Sequence, residues 1–167
     1  MIDSILRTFK QEYFHQDLFK LYYDFRDHPT DCNLEQLCKC VVKEMTDKKP
    51  TSPIYILDKD KYNKMFPSYR YTRGLYLEDD ICIIKEGPIS QMVLTGIHEL
   101  CNSISTIKRG TSRFEREAEL YEIWAYHLLK ERTGIKLQEG FKHIDCFERY
   151  DLIKSLDLVK SRINKIN

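Results

Sequence analysis

The chain has 167 residues, with 27 Lys and Arg against 26 Asp and Glu, so its formal net charge is +1. That length suffices to bury a real core, and so even a balance gives no electrostatic case for nucleic-acid or anionic-membrane binding. With 42% apolar and 32% charged residues the composition is that of a soluble globular protein rather than a disordered tail. One domain over residues 1–167 is expected.

Residues 2–25 read as helical, because Ile2, Leu6, Phe9 and Tyr13, then Leu18, Leu21, Tyr22 and Phe25, recur at helical spacing. The charges at Asp3, Arg7, Lys10 and Glu12 interrupt that pattern, so it does not read as an export signal. No apolar run approaches the roughly 20 residues a bilayer helix needs. A cytoplasmic location is therefore expected, with the cysteines at 32, 38, 40, 82, 101 and 146 as free thiols. His28-Pro29 breaks the helix, and Asn33 reads as the N-cap of a second helix over about 34–46. His28, Cys32, Cys38 and Cys40 do not have metal spacing: on a helix Cys38 and Cys40 point about 200° apart.

The middle of the chain changes character. Segments 52–57 (SPIYIL), 74–78 (GLYLE) and 80–85 (DICIIK) read as three short strands, the last two a hairpin turning at Glu78-Asp79-Asp80. The runs Lys59-Asp60-Lys61 and Arg70-Tyr71-Thr72-Arg73 read as solvated loops rather than an RNA surface. Two strong helices follow. Val93, Ile97, Leu100, Ile104 and Ile107 form one apolar face, with Ser90 as N-cap and Gly110 as stop. Phe114, Ala118, Tyr121, Ala125 and Leu128 form the next, opened by a Ser112/Glu115 capping box and ended by Gly134. A last helix over about 149–165 completes an α+β order of two helices, three strands and three helices.

The chemistry sits in 97–121. A zinc hydrolase helix needs two ligands one turn apart, since i and i+4 share a face, and a carboxylate beside the first ligand to act as general base. His98 and Glu99 supply the first ligand and the base. Asn102 stands where a second histidine belongs, and a third ligand can come from the next helix, where Glu115, Glu117 and Glu119 cluster. Glu115 has another use in reach, the capping box itself.

HELCN (98–102) followed by E-R-E-A-E-L-Y (115–121) resembles the ImmA/IrrE-type metallopeptidases, which carry HExxH on one helix and E-x-x-A-(N/D)-x-(F/Y) on the next. Glu115, Ala118 and Tyr121 match the second motif, with Glu119 in the Asn/Asp slot. The resemblance implies a zincin-like α+β fold: N-terminal helices, a small three-stranded antiparallel or mixed sheet, then a motif helix, a ligand helix and a C-terminal helix. It implies a peptidase acting on a protein or peptide partner, often a helix-turn-helix repressor in that family. His98 and Glu115 would be metal ligands and Glu99 the catalytic base. Asn102 makes the motif a degenerate HExxN. An amide oxygen is a weaker zinc ligand than imidazole, so either Cys101, at i+3, replaces it, or Asn102 and carboxylates hold a harder divalent ion, or no metal binds. In the last case the chain is a pseudoenzyme, a non-catalytic regulator or inhibitor that keeps the cleft for protein binding. The Tyr-rich stretch from Tyr55 to Tyr76 is expected to line that cleft, where an extended peptide would add to the sheet. The sequence does not fix the oligomeric state.

Overall fold

The computed structural model describes residues 18–133. The expected helix over 149–165, the stop at Gly134, Cys146 and the part of the first helix before residue 18 lie outside them. The described elements run α1 (Leu18–Asp27), α2 (Asp31–Thr46), β1 (Ile54–Leu57), α3 (Lys59–Met65), a 3-10 turn (Pro67–Tyr69), β2 (Gly74–Leu77), β3 (Asp80–Ile84), α4 (Ile89–Ile104) and α5 (Ser112–Thr133). The α+β class follows. None of these helices is long and apolar enough to cross a membrane.

The α1–α2 corner shows how the local chemistry differs from expectation. Thr30, not Asn33, caps α2: its hydroxyl accepts from Asn33 N at 3.2 Å. The Asn33 amide is used backward instead, donating to His28 O at 2.9 Å and Asp24 O at 3.4 Å, carbonyls at the end of α1 that also accept from Thr30 N and His28 N.

The three strands form a mixed sheet in the order β1-β3-β2. β2 and β3 make the expected antiparallel hairpin, closed by Leu77 opposite Asp80. Glu78 (φ 50°) and Asp79 (φ 70°) both sit in the left-handed region, the pairing a two-residue turn of the I′ kind requires. The Tyr76 hydroxyl donates to Asp79 Oδ1 at 3.1 Å across this turn. β1 joins the other side of β3 in parallel, Ile54 beside Ile81 and Ile56 beside Ile83. A parallel neighbour needs a crossover, which the chain from β1 through α3 to the hairpin provides.

Strand alternation divides the apolar residues between two cores. Ile54, Ile81 and Ile83 face the helices, joining Phe25, Leu37, Val41, Val93, Ile97, Leu100 and Trp124 in the main cluster. Cys82 and Ile84 face the opposite way and pack under Tyr62 of α3, with Leu57, Phe66 and Leu75 around them. The helix α3 was not expected. Its start is signalled by Asp58, whose carboxylate accepts from Lys61 N at 2.8 Å.

Two glycines set how closely the elements approach. A Cβ on Gly96 of α4 would lie 2.8 Å from Cys38 Sγ of α2. A Cβ on Gly74 of β2 would lie 2.6 Å from Thr95 Cγ2 and 3.3 Å from Glu99 Cγ. The missing side chain at 74 therefore lets β2 rest directly on the motif helix, next to Glu99.

Candidate functional site

α4 buries Val93, Ile97 and Leu100 as its periodicity demands, which turns His98 and Glu99 to the rim between β2 and α5. It stops at Ile104, earlier than Gly110, and starts at Ile89 after Pro88 rather than from a Ser90 cap. Lys48 Nζ donates to the terminal carbonyl of Ile104 at 3.2 Å. Residues 105–111 then reverse the chain. Ser105 holds that reversal by donating to Glu117 Oε1 at 2.8 Å and accepting from Ile107 N at 3.1 Å. α5 is opened by Thr111, whose hydroxyl accepts from Phe114 N at 3.3 Å, not by a Ser112/Glu115 box.

Glu115 serves the cleft instead. Its Oε2 lies 3.3 Å from His98 Nε2. Seven residues on, Glu122 Oε2 lies 2.9 Å from His98 Nδ1. The imidazole is thus gripped from both nitrogens by two carboxylates on one face of α5. Burial of His98 alone would lower its pKa, but the hydrogen bonds to Glu115 and Glu122 outweigh this and raise it to about 10. The same contact holds Glu115 below the usual carboxylate range.

Glu99, beside His98, is pushed above the usual carboxylate range, first by burial; the His98 charge and an Asn102 hydrogen bond oppose that shift. Asn102 Nδ2 donates to Glu99 Oε2 at 3.4 Å. Asn102 Oδ1 is buried and has no hydrogen-bond partner, an unusual state for an amide oxygen that is only 7% exposed as a residue. Cys101 is turned away into the main core, and burial raises its thiol far above the ordinary range. A thiol so held is a poor source of thiolate. Of the four ligand candidates the structure pairs His98 with Glu115; Asn102, one turn along α4, touches Glu99, and Cys101 packs in the core.

Among the described residues no three His, Cys, Asp or Glu side chains gather into a metal-sized group. The candidate set therefore depends on an amide oxygen as its third donor. The unsatisfied Asn102 Oδ1 fits that role: an imidazole nitrogen, a carboxylate oxygen and an amide oxygen suit a borderline or hard divalent ion. The second cluster holds nothing comparable. Cys38 is buried with its thiol against Val93 O at 3.5 Å, while Cys40 is half-buried and burial raises its pKa to about 11.

The wall of the cleft is β2. Of the tyrosines expected there, Tyr76 is the one beside the site. Tyr62 is buried under the sheet, and Tyr69 and Tyr71 stand exposed on the loop. Antiparallel alternation turns the Tyr76 backbone away from β3, and its carbonyl accepts from Arg109 Nη2. The Arg109 guanidinium also lies 4.9 Å from the centre of the Tyr76 ring, and its charge helps lower the pKa of Glu115.

Two residues of the site escaped the sequence reading. Glu122 had a signal: seven residues is nearly two full helical turns, so it must share the Glu115 face. Arg109 had none, since it acts from a loop through one backbone oxygen. Comparison with family models, with curated proteins and with solved structures returned no match.

Proposed function

We propose that this chain is a zincin-like protein of the ImmA/IrrE kind that receives an extended segment of a protein partner in the cleft between β2 and the α4–α5 pair. The observation that carries the reading is the convergence of His98, Glu99 and Glu115 across two helices, with the orphaned Asn102 oxygen one turn away. In this reading His98 Nε2, a Glu115 oxygen and Asn102 Oδ1 would hold a divalent ion, zinc or a harder one. Bound there, such an ion supplies Lewis acidity toward a peptide carbonyl.

The protein's own groups do the rest. Glu99 is a buried carboxylate with raised proton affinity, fit to take a proton from water and return it to a leaving amine. The Asn102 amide occupies one oxygen of Glu99 and so leaves the other to carry that proton. β2 offers the outward Tyr76 backbone to an added strand once Arg109 swings aside.

A second reading is favoured by a specific observation. With His98 held between Glu115 and Glu122, the polar groups of the imidazole are satisfied by the protein itself. A scaffold that has lost catalysis would keep this arrangement and the cleft, and serve as a binding regulator or inhibitor.

Metal analysis of protein purified without chelator separates the readings, with Asn102→His and Glu99→Gln forms alongside. Stoichiometric metal in the native chain, and loss of partner cleavage in Glu99→Gln, is the result expected of an enzyme. Metal only in Asn102→His marks a lapsed site. No metal in either removes the proposed ion site.

A further inference from the structure

We infer that Glu122 is the positioning residue of the site: seated on His98 Nδ1, it sets the rotation of the imidazole and aims Nε2 into the cleft. The ion-binding consequence rests on the reading above; the ring-setting role does not.

Two carboxylates touch the ring, and they differ in kind. Glu122 is the closer, 2.9 Å against 3.3 Å, and the more enclosed, its side chain 14% exposed against 54% for Glu115. Its neighbours Leu120, Tyr121, Ile123, Trp124 and Ala125 are all buried, so its backbone is fixed by core packing. Glu115 lies near the start of α5, three residues past the loop, with a half-exposed side chain free to leave the ring. A carboxylate locked in packing sets orientation; one at the solvent edge exchanges partners. The division matches the requirement of an imidazole ligand, whose second nitrogen is held by an outer carboxylate so that the first presents its lone pair. Glu119, which stands in the Asn/Asp slot of the sequence motif, is exposed, and the two ring nitrogens of His98 meet Glu122 and Glu115, so that slot does not supply the outer carboxylate here.

The test uses the full chain, as native, Glu122→Gln, Glu122→Ala and Glu115→Gln forms. Without metal, nuclear Overhauser contacts of the His98 ring protons report its rotamer. A single rotamer is expected in the native and Glu115→Gln forms, retention in Glu122→Gln, whose amide oxygen still accepts from Nδ1, and averaging in Glu122→Ala. A ring that keeps its native contacts in Glu122→Ala overturns the proposal, whatever the metal result. A second arm adds Zn²⁺ alone and reads affinity by calorimetry and the two ring nitrogens by long-range ¹H–¹⁵N spectra. The expected pattern is a proton on Nδ1, zinc on Nε2, and affinity lowered 10- to 100-fold in Glu122→Ala. Zinc on Nδ1 also overturns it. If the ring is released in Glu122→Ala while the native chain takes no zinc, the positioning role stands and the ion reading fails. Should Glu122→Ala not fold, Glu122→Gln against Glu122→Leu gives the same comparison.

Discussion

The two edges of the sheet are closed in opposite ways. At β1 the outward N–H groups of Ile54 and Ile56 donate to Glu35 Oε2 (3.1 Å) and Asp31 Oδ1 (2.8 Å). The match is geometric: four residues of a helix advance about 6 Å and two residues of a strand about 6.6 Å, so carboxylates at i and i+4 of α2 meet alternate strand amides. At β2 the closure is one exposed arginine on one carbonyl. Short carboxylates on a packed helix make a permanent seal. A long, flexible cation makes a removable one, and it lies on the side where His98 and Glu99 are.

The largest expected effect comes from forcing β2 off its seat. Gly74→Val places branched carbons where Thr95 Cγ2 is already 2.6 Å from a bare Cβ. It should lower unfolding stability by about 2–3 kcal/mol in denaturant titrations, a small-to-large penalty. It should also disturb Glu99, the next nearest helix side chain, while leaving the β1 seal intact. Removing that seal comes second. Asp31→Ala with Glu35→Ala strips two strand amides of charged acceptors and should cost about 1–2 kcal/mol, discounted because both carboxylates are partly exposed to water. It should also increase self-association in sedimentation relative to the native protein.

Acidity distinguishes the β2 side without mutation. His98 has its folded pKa raised to about 10 from 6.5, so the folded state binds more protons than the unfolded state between those values. The stabilisation is complete below about 6.5 and is lost as pH rises toward about 10. Chemical unfolding measured across that window should show falling stability, and His98→Gln should flatten the slope.

Smaller effects sharpen the contrast. Glu78→Asn with Asp79→Gly gives the hairpin residues that tolerate positive φ and should add about 0.5–1 kcal/mol. Arg109→Ala should move stability by less than about 0.5 kcal/mol, since its contacts are exposed. Its mark should instead be concentration-dependent association through the bared β2 edge, the effect opposite in origin to that at β1.

Much of the frame was legible because local rules and burial agreed there. The hairpin could be read from its alternation, and the faces of α4 and α5 from their period, with Phe114, Ala118, Tyr121 and Ala125 buried as expected. The parallel seat of β1 was not legible, because a strand's neighbour is chosen by tertiary packing. The short α3 hid within a run of lysines and tyrosines that resembles a loop. Asn33 differs for another reason: Thr30 caps α2, and the Asn33 amide turns back to brace the carbonyls of Asp24 and His28 at the end of α1. At the site, His98 and Glu115 were legible as a spacing, but the fate of the Asn102 oxygen depends on what surrounds it in space.

The grip on His98 has a mechanical consequence. Its two carboxylates are rooted seven residues apart, about 10.5 Å of rise along α5 at 1.5 Å per residue, and both side chains lean in to one ring. A sliding of α5 along α4 by one turn, about 5.4 Å, would bring neither prong onto a ring nitrogen, and a rolling of α5 about its axis would release both. One side chain thereby indexes the helix pair in translation and in rotation together, so correct assembly of the α4–α5 hairpin by itself calls for this histidine and its partners, whatever the cleft does.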